Sequence, residues 1–198
     1  MRCVNSEFLF HERSDFQLLH DVIAHYKKKY AFKLYAYIFM NSHFHLCIRT
    51  PENDHDTISK IMQGIAWRFA FTYNRRRVRK GHFFSERFKS PLVENDTYGL
   101  QLLKYIHQNP VRAGIVNKPA EWEYSSYSVY SDGADDDLVD LMPTFLGIAA
   151  SRKRASANFR EFVEGVLEPA TPFWTKATVI GSPEFMSRFG TTAPNKYG

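Results

Sequence analysis

Apolar positions recur along this chain at two spacings, and the switches between them mark out its elements. Over residues 15–30, Phe16, Leu19, Val22, Ile23 and Tyr26 keep to one helical stripe, which predicts an amphipathic helix. Ser14 stands where an N-cap belongs, and Lys27, Lys28 and Lys29 suit the far end, where cations complement the helix dipole. The period then drops to two. Leu34, Ala36 and Ile38 alternate with Tyr35 and Tyr37 over residues 32–40, predicting a strand. Asn41 and Ser42 signal a turn, a second strand follows over residues 43–49, and Pro51 stops it, so the two read as a hairpin.

Helical spacing returns over residues 54–77 through Ile58, Ile61, Met62, Ile65, Ala66, Phe69 and Ala70, and Gly81 marks the break beyond it. Residues 82–93 are aromatic and read as extended or as a hairpin, and a third helix is expected over residues 96–109. Asn95 or Asp96 would cap that helix and Pro110 would end it. Cys3, Phe8 and Phe10 fit a further strand within residues 1–10. Past Trp122 the pattern fades, with an exposed loop expected at residues 131–137 and a helix at residues 159–167. This order predicts an α+β fold, an antiparallel sheet with helices packed on it.

Composition narrows the picture. The 198 residues suffice for one ordinary domain, and 44% apolar with 16% aromatic residues describes a folded globule. The two cysteines, Cys3 and Cys47, form no CxxC pattern, so neither a disulfide framework nor a thiolate zinc site is expected. Residues 1–10 are polar where a signal peptide needs an apolar run, and no stretch has the length of a membrane span. A cytoplasmic protein with no membrane partner is the expectation. Charge is unevenly placed: residues 1–118 hold 19 Lys and Arg against 10 Asp and Glu, and residues 119–198 hold 7 against 11. The front of the chain suits a polyanion, although charge alone does not separate nucleic acid from other acidic partners.

Two groups of residues can carry chemistry. Residues two apart on a strand point to the same side, so His43 and His45 would aim both imidazoles one way while Phe44 packs the other. Such a pair can supply two ligands to a divalent metal, or can simply be two polar residues on the open face of a hairpin. Spacing leaves both readings open. On the third helix, Tyr105 and Asn109 share a face, while Pro110 draws Asn109 towards the helix end. A tyrosine there is ordinarily a packing aromatic, and His107 faces elsewhere.

Taken in order, these segments resemble a known family. Residues 32–46 (FKLYAYIFMNSHFHL), 81–90 (GHFFSERFKS) and 105–114 (YIHQNPVRAG), then Trp122, Ser125, Ser126 and Tyr127, resemble the HUH (His-hydrophobic-His) single-tyrosine transposases. More narrowly they resemble the REP-associated tyrosine transposases and their insertion-sequence relatives, over residues 2–130. The resemblance implies a ferredoxin-like (RRM-like) HUH catalytic domain in residues 1–130, with residues 131–198 as a C-terminal extension. It implies a metal-dependent transferase that cleaves and rejoins single-stranded DNA through a 5′-phosphotyrosine. Tyr105 matches the nucleophile, His43 and His45 the metal pair, and Asn109 a third, amide ligand for Mg²⁺ or Mn²⁺.

The implied partner is single-stranded or hairpin DNA, bound by a monomer or a homodimer. Arg68, Arg75, Arg76, Arg77, Arg79, Lys80, Arg87 and Lys89 would track its phosphates, and Phe83, Phe84 or Phe88 could stack on unpaired bases. A domesticated or decayed transposase that binds hairpin DNA without cleavage is the alternative. Relatives carry several more residues before the first strand than the opening Met1-Arg2-Cys3, and some carry a further DNA-binding segment at the C-terminal side.

Overall fold

A computed structural model of the chain describes residues 1–4, 7–51, 57–94, 97–167 and 178–189. The first half runs α1 (Arg13–Tyr30), β1 (Lys33–Phe39), β2 (Phe44–Arg49), α2 (Thr57–Arg76), β3 (Leu92–Val93), α3 (Thr97–His107) and α4 (Asn109–Arg112). After a 3-10 turn at Pro119–Glu121 come α5 (Tyr127–Ser131), α6 (Pro143–Gly147), α7 (Arg152–Glu164), β4 (Val179–Ile180) and α8 (Pro183–Phe189). The expected α+β class holds. Among the described residues no helix is long and apolar enough to cross a membrane.

Helix α1 begins at Arg13 with Glu12 as N-cap, two residues before the spacing predicts, and Ser14 is not its cap. The reason is Asp15, whose Oδ2 accepts the N–H of both His11 and Glu12 at 3.1 Å. One buried carboxylate satisfies two orphan donors, which a serine hydroxyl at position 14 cannot match. Asp15 also receives Arg77 Nη2 at 3.0 Å, and Arg77 Nη1 reaches Glu12 Oε1 at 2.9 Å. The start of α1 is thereby locked to the end of α2.

Strands β1 and β2 form the expected antiparallel hairpin, but β1 does not present one open face. Its pairing is interrupted between Leu34 and Ala36, where Tyr35 is the extra residue of a bulge. Leu34, Tyr37 and Phe39 enter a core with Phe16, Leu19 and Ile23 of α1 and Ile61, Ile65 and Phe69 of α2. Tyr35, Ala36, Ile38 and Met40 enter a second core with Leu103 and Ile106 of α3 and Phe159 and Val163 of α7. Burial on both faces explains the uninterrupted apolar run. Single bridges widen the hairpin, Ile38 to Ser125 beside β1 and Arg2 to His43 beside β2, with Cys3 bridging on to Phe84. The strand expected within residues 1–10 is thus reduced to bridges.

Other boundaries moved as well. The segment at residues 82–93 forms no hairpin; Phe83 is core, and only Leu92–Val93 is a strand, paired in parallel with β4. Helix α7 starts at Arg152 rather than 159, because Ser151 caps it and Ala155 extends its buried stripe of Phe159 and Val163 backwards. Ser131 ends α5 and is buried, so the exposed loop begins after it. Asp54, Asn95 and Asp96 lie outside the described residues.

Two stability predictions follow from the packing of α1. Gly64 of α2 lies against the Tyr26 ring, which a methyl group at that position would overlap. Alanine gains about 1 kcal/mol of helix propensity, but overpacking costs about 1–3 kcal/mol, so Gly64→Ala should unfold at lower urea. The second concerns His20, whose Nε2 lies 3.5 Å from Asp136 Oδ1, while Tyr37 Oη donates to Asp136 Oδ2 at 2.8 Å. Hydrogen bonding to Asp136 raises the His20 pKa above 6.5 despite burial. Burial would raise Asp136, yet bonds from His20, the Leu138 N–H and Tyr37 hold it below 3.8. A raised histidine stabilises fully below its unfolded value and loses that contribution as pH rises through its folded value. The stability difference between the parent and His20→Gln, about 1 kcal/mol once solvent screening of this partly exposed pair is allowed for, should therefore be largest between pH 4 and about 6.5 and shrink above it. A difference that grows with pH would contradict this.

Candidate active site

The parity of β2 decides what its side chains face. Phe44 and Leu46 point into the core under α1 and α2, so the alternate residues, His45 and Cys47, turn towards α3. The His43 and His45 rings lie 5.1 Å apart and perpendicular. Tyr105, on α3, stands 5.9 Å from the His45 ring in an edge-on arrangement. The hairpin and the tyrosine helix thus bring the histidine pair against a tyrosine far along the chain.

Burial keeps both histidines neutral. It pushes His43 down to about 4, and the positive charges nearby, Arg2 among them, push the same way. His45 lies well below 6.5 for the same first reason, followed by His43, then Arg2 and Arg112 with the other positive charge close by. Ser42 Oγ sits 3.1 Å from His43 Nδ1. In the tautomer whose Nδ1–H donates to that oxygen, Nε2 carries the lone pair a metal would need.

Asn109 is the first residue of α4, because Gln108 separates it from α3 and Pro110 follows it. Its Nδ2 donates to the carbonyls of Tyr105 at 2.8 Å and Ile106 at 3.2 Å. Those oxygens belong to the orphan carbonyls at the end of α3, and the amide caps them. Oδ1 is the amide atom left for a ligand. The junction is held from behind by Gln108 Nε2, which donates to Val163 O of α7 at 2.7 Å.

The imidazoles of His43 and His45 and the amide oxygen of Asn109 are donor types that would suit a divalent ion such as Mn²⁺. Among the described residues no group of three His, Cys, Asp or Glu side chains gathers as a metal site.

Two residues within the matched segments had no role assigned to them from sequence. The Arg112 guanidinium lies over the Tyr105 ring, 4.5 Å from its centre, and Pro110 disguised the helical continuity that places it there. Ser126 is the other: its Oγ accepts the Tyr37 N–H at 3.0 Å and lies 2.9 Å from His107 Nε2. That contact pins the side of α3 away from Tyr105 to the backbone of β1.

The basic residues divide into two kinds. Arg77 is engaged with Glu12 and Asp15, and Arg79 with Asn74 Oδ1 at 3.2 Å and His82 O at 2.9 Å. Arg68 contacts His25 Nε2 at 3.2 Å but is exposed, and Lys89 is exposed 3.7 Å from Glu86. Arg75, Arg76, Lys80 and Arg87 are exposed. Phe83 is core, and Phe84 and Phe88 are partly buried against that same core.

The family described as "Transposase IS200 like" matches residues 2–109. A curated Haemophilus influenzae protein named a REP-associated tyrosine transposase is 30% identical over 107 residues, covering 50% of this chain and 60% of that protein. The match thus spans under two thirds of that relative's length. The solved structure of a REP-associated tyrosine transposase bound to a REP hairpin superposes with a TM-score of 0.54 at 23% identity. It covers 65% of this chain and 78% of the other, a likeness of fold.

Asn109→Asp separates the capping role from the ligand role. A carboxylate facing the Tyr105 and Ile106 carbonyls, at the negative end of the α3 dipole, should cost about 1–3 kcal/mol in metal-free protein. As the stronger oxygen ligand it should regain part of that loss when Mn²⁺ is added, read as a larger rise in thermal midpoint than the parent shows. Equal rises would leave Asn109 a cap alone.

Proposed function

Because the chain belongs to the IS200-like transposase family, we propose that it cleaves and rejoins single-stranded DNA, with Tyr105 as the nucleophile. The observation that carries this is the contact of Tyr105 with His45, which itself faces His43, all within one chain. The phenol oxygen attacks phosphorus, forming a tyrosine–phosphorus bond as the bond to the 3′ oxygen breaks. The phenolic proton ends on the leaving oxygen, so the products are a 5′-phosphotyrosine and a 3′-hydroxyl. The covalent link conserves the phosphodiester energy, and rejoining needs no nucleotide cofactor.

The chain's own residues would prepare that step. Arg112, stacked on Tyr105, fixes the ring and brings positive charge to where a phosphate would sit. His43 and His45, neutral through burial, offer lone pairs, and Asn109 offers its amide oxygen. A divalent cation held there would polarise the scissile phosphate. Arg68, Arg75, Arg76, Lys80, Arg87 and Lys89 are accessible for phosphate tracking, whereas Arg77 and Arg79 serve the fold first. A hairpin-binding protein without cleavage is the second reading, in which Asn109 serves only as the helix cap that its Nδ2 bonds make it.

Incubation with Mn²⁺ and labelled single-stranded DNA bearing a hairpin tests this. An SDS-resistant adduct should form and should vanish in Tyr105→Phe. Binding without any adduct would support the second reading. Cleavage that persists in Tyr105→Phe would instead indicate hydrolysis by an activated water.

A further inference from the structure

Helix α2 has a second, outward face that its core contacts do not use. Ile61, Met62, Ile65, Phe69 and Tyr73 are buried, yet Trp67 and Phe71 are 65% and 55% exposed. These two sit one turn apart with rings 12° from parallel and centroids 5.4 Å apart, forming a flat aromatic ledge. Large aromatics left in water side by side mark an interaction surface more often than a packing accident. The flanks carry one sign of charge: Lys60, Arg68, Arg75 and Arg76 are exposed, and α2 contains no Asp or Glu.

We propose that Trp67 and Phe71 form a stacking platform for unpaired bases of a nucleic acid strand whose phosphates run along the flanking cations. Every base has a π-face, so such a ledge holds single strands with little regard to sequence, and the cations retain the backbone. A second copy is disfavoured because a two-fold contact would set Lys60, Arg68 and Arg75 against their own images. A membrane surface is disfavoured because the apolar stripe of α2 is spent in the core, leaving two rings to insert. The ledge lies on the side of the hairpin away from the core that holds α3, so it binds strand outside the reacting centre. Only the choice of DNA over RNA rests on the function proposed above.

The test measures single-stranded oligonucleotide binding by fluorescence anisotropy, with a blunt duplex of equal length as control. Trp67→Ala combined with Phe71→Ala should weaken single-strand binding about tenfold or more, with duplex binding and thermal midpoint unchanged. Trp67→Tyr with Phe71→Tyr should restore binding to within about threefold, because stacking survives. Unchanged single-strand affinity in the double-alanine protein would overturn the proposal. So would an effect confined to sedimentation state or to flotation with anionic vesicles, which would assign the ledge to a second copy or a lipid surface. The Tyr105→Phe protein should bind normally, so failure of strand transfer and failure of the platform give different results.

Discussion

Strand β1 is buried on both faces, and most of the architecture follows from how its side chains are shared. One face receives α1 and α2, the other α3 and α5 to α7, so a single strand is the common wall of two cores. The bulge at Tyr35 decides the sharing. It puts Tyr35 and Ala36 on the same side and restores strict alternation from Tyr37 onwards. Without that extra residue, the residues beyond it would exchange cores, because strand parity permits no intermediate. The register carried into β2, Ile38 opposite His45 and Phe39 opposite Phe44, then places the histidines on the side of the tyrosine helix.

The position of α3 depends on the same wall. His107, fully buried, meets Ser126, whose hydroxyl both receives the Tyr37 N–H and donates to the Tyr37 carbonyl at 3.2 Å. With that hydrogen engaged, the His107 contact is best made by its Nε2–H, leaving Nδ1 as a bare lone pair among Tyr127, Tyr130 and Phe159. A buried lone pair is tolerated more readily than a buried N–H, since lone pairs go unsatisfied more often in folded proteins. Burial drives His107 down to about 3, so it holds the helix as a neutral dipole rather than a charge. Tyr105, two residues earlier, is set against His45 by this anchor on the opposite side of its helix.

How much of this was legible in the chain depended on whether local pattern or distant partners did the deciding. Helices α1 and α2 showed in their apolar stripes, and the hairpin showed in the turn at Asn41 and Ser42. The two-sided burial of β1 did not, because the plain alternation of Leu34, Ala36 and Ile38 with Tyr35 and Tyr37 gives no sign of the bulge at Tyr35 that shares them between two cores. Helix α7 itself was clipped, its stripe beginning at an alanine. Of the site, the order of His43, His45 and Tyr105 was plain, while Arg112 was hidden by a proline that bends the chain without ending its turn. Trp67 and Phe71 went unremarked because periodicity singles out residues that agree with the stripe, and these disagree with it.

The basic run after α2 shows why adjacent charges cannot be read as one patch. A helix ending at Arg76 with Val78 in the left-handed region turns successive side chains in different directions. Arg77 is swung back onto a buried carboxylate, and a guanidinium fork suits that site as a lysine would not. Arg79 closes the loop that follows, through Asn74 and the His82 carbonyl. These two arginines tie the end of α2 to α1 and to the loop that follows, while Arg75 and Arg76 stay exposed. Positive charge that holds the fold and positive charge left facing water are therefore neighbours in sequence but engaged differently in space, and a run of basic residues does not by itself define one surface.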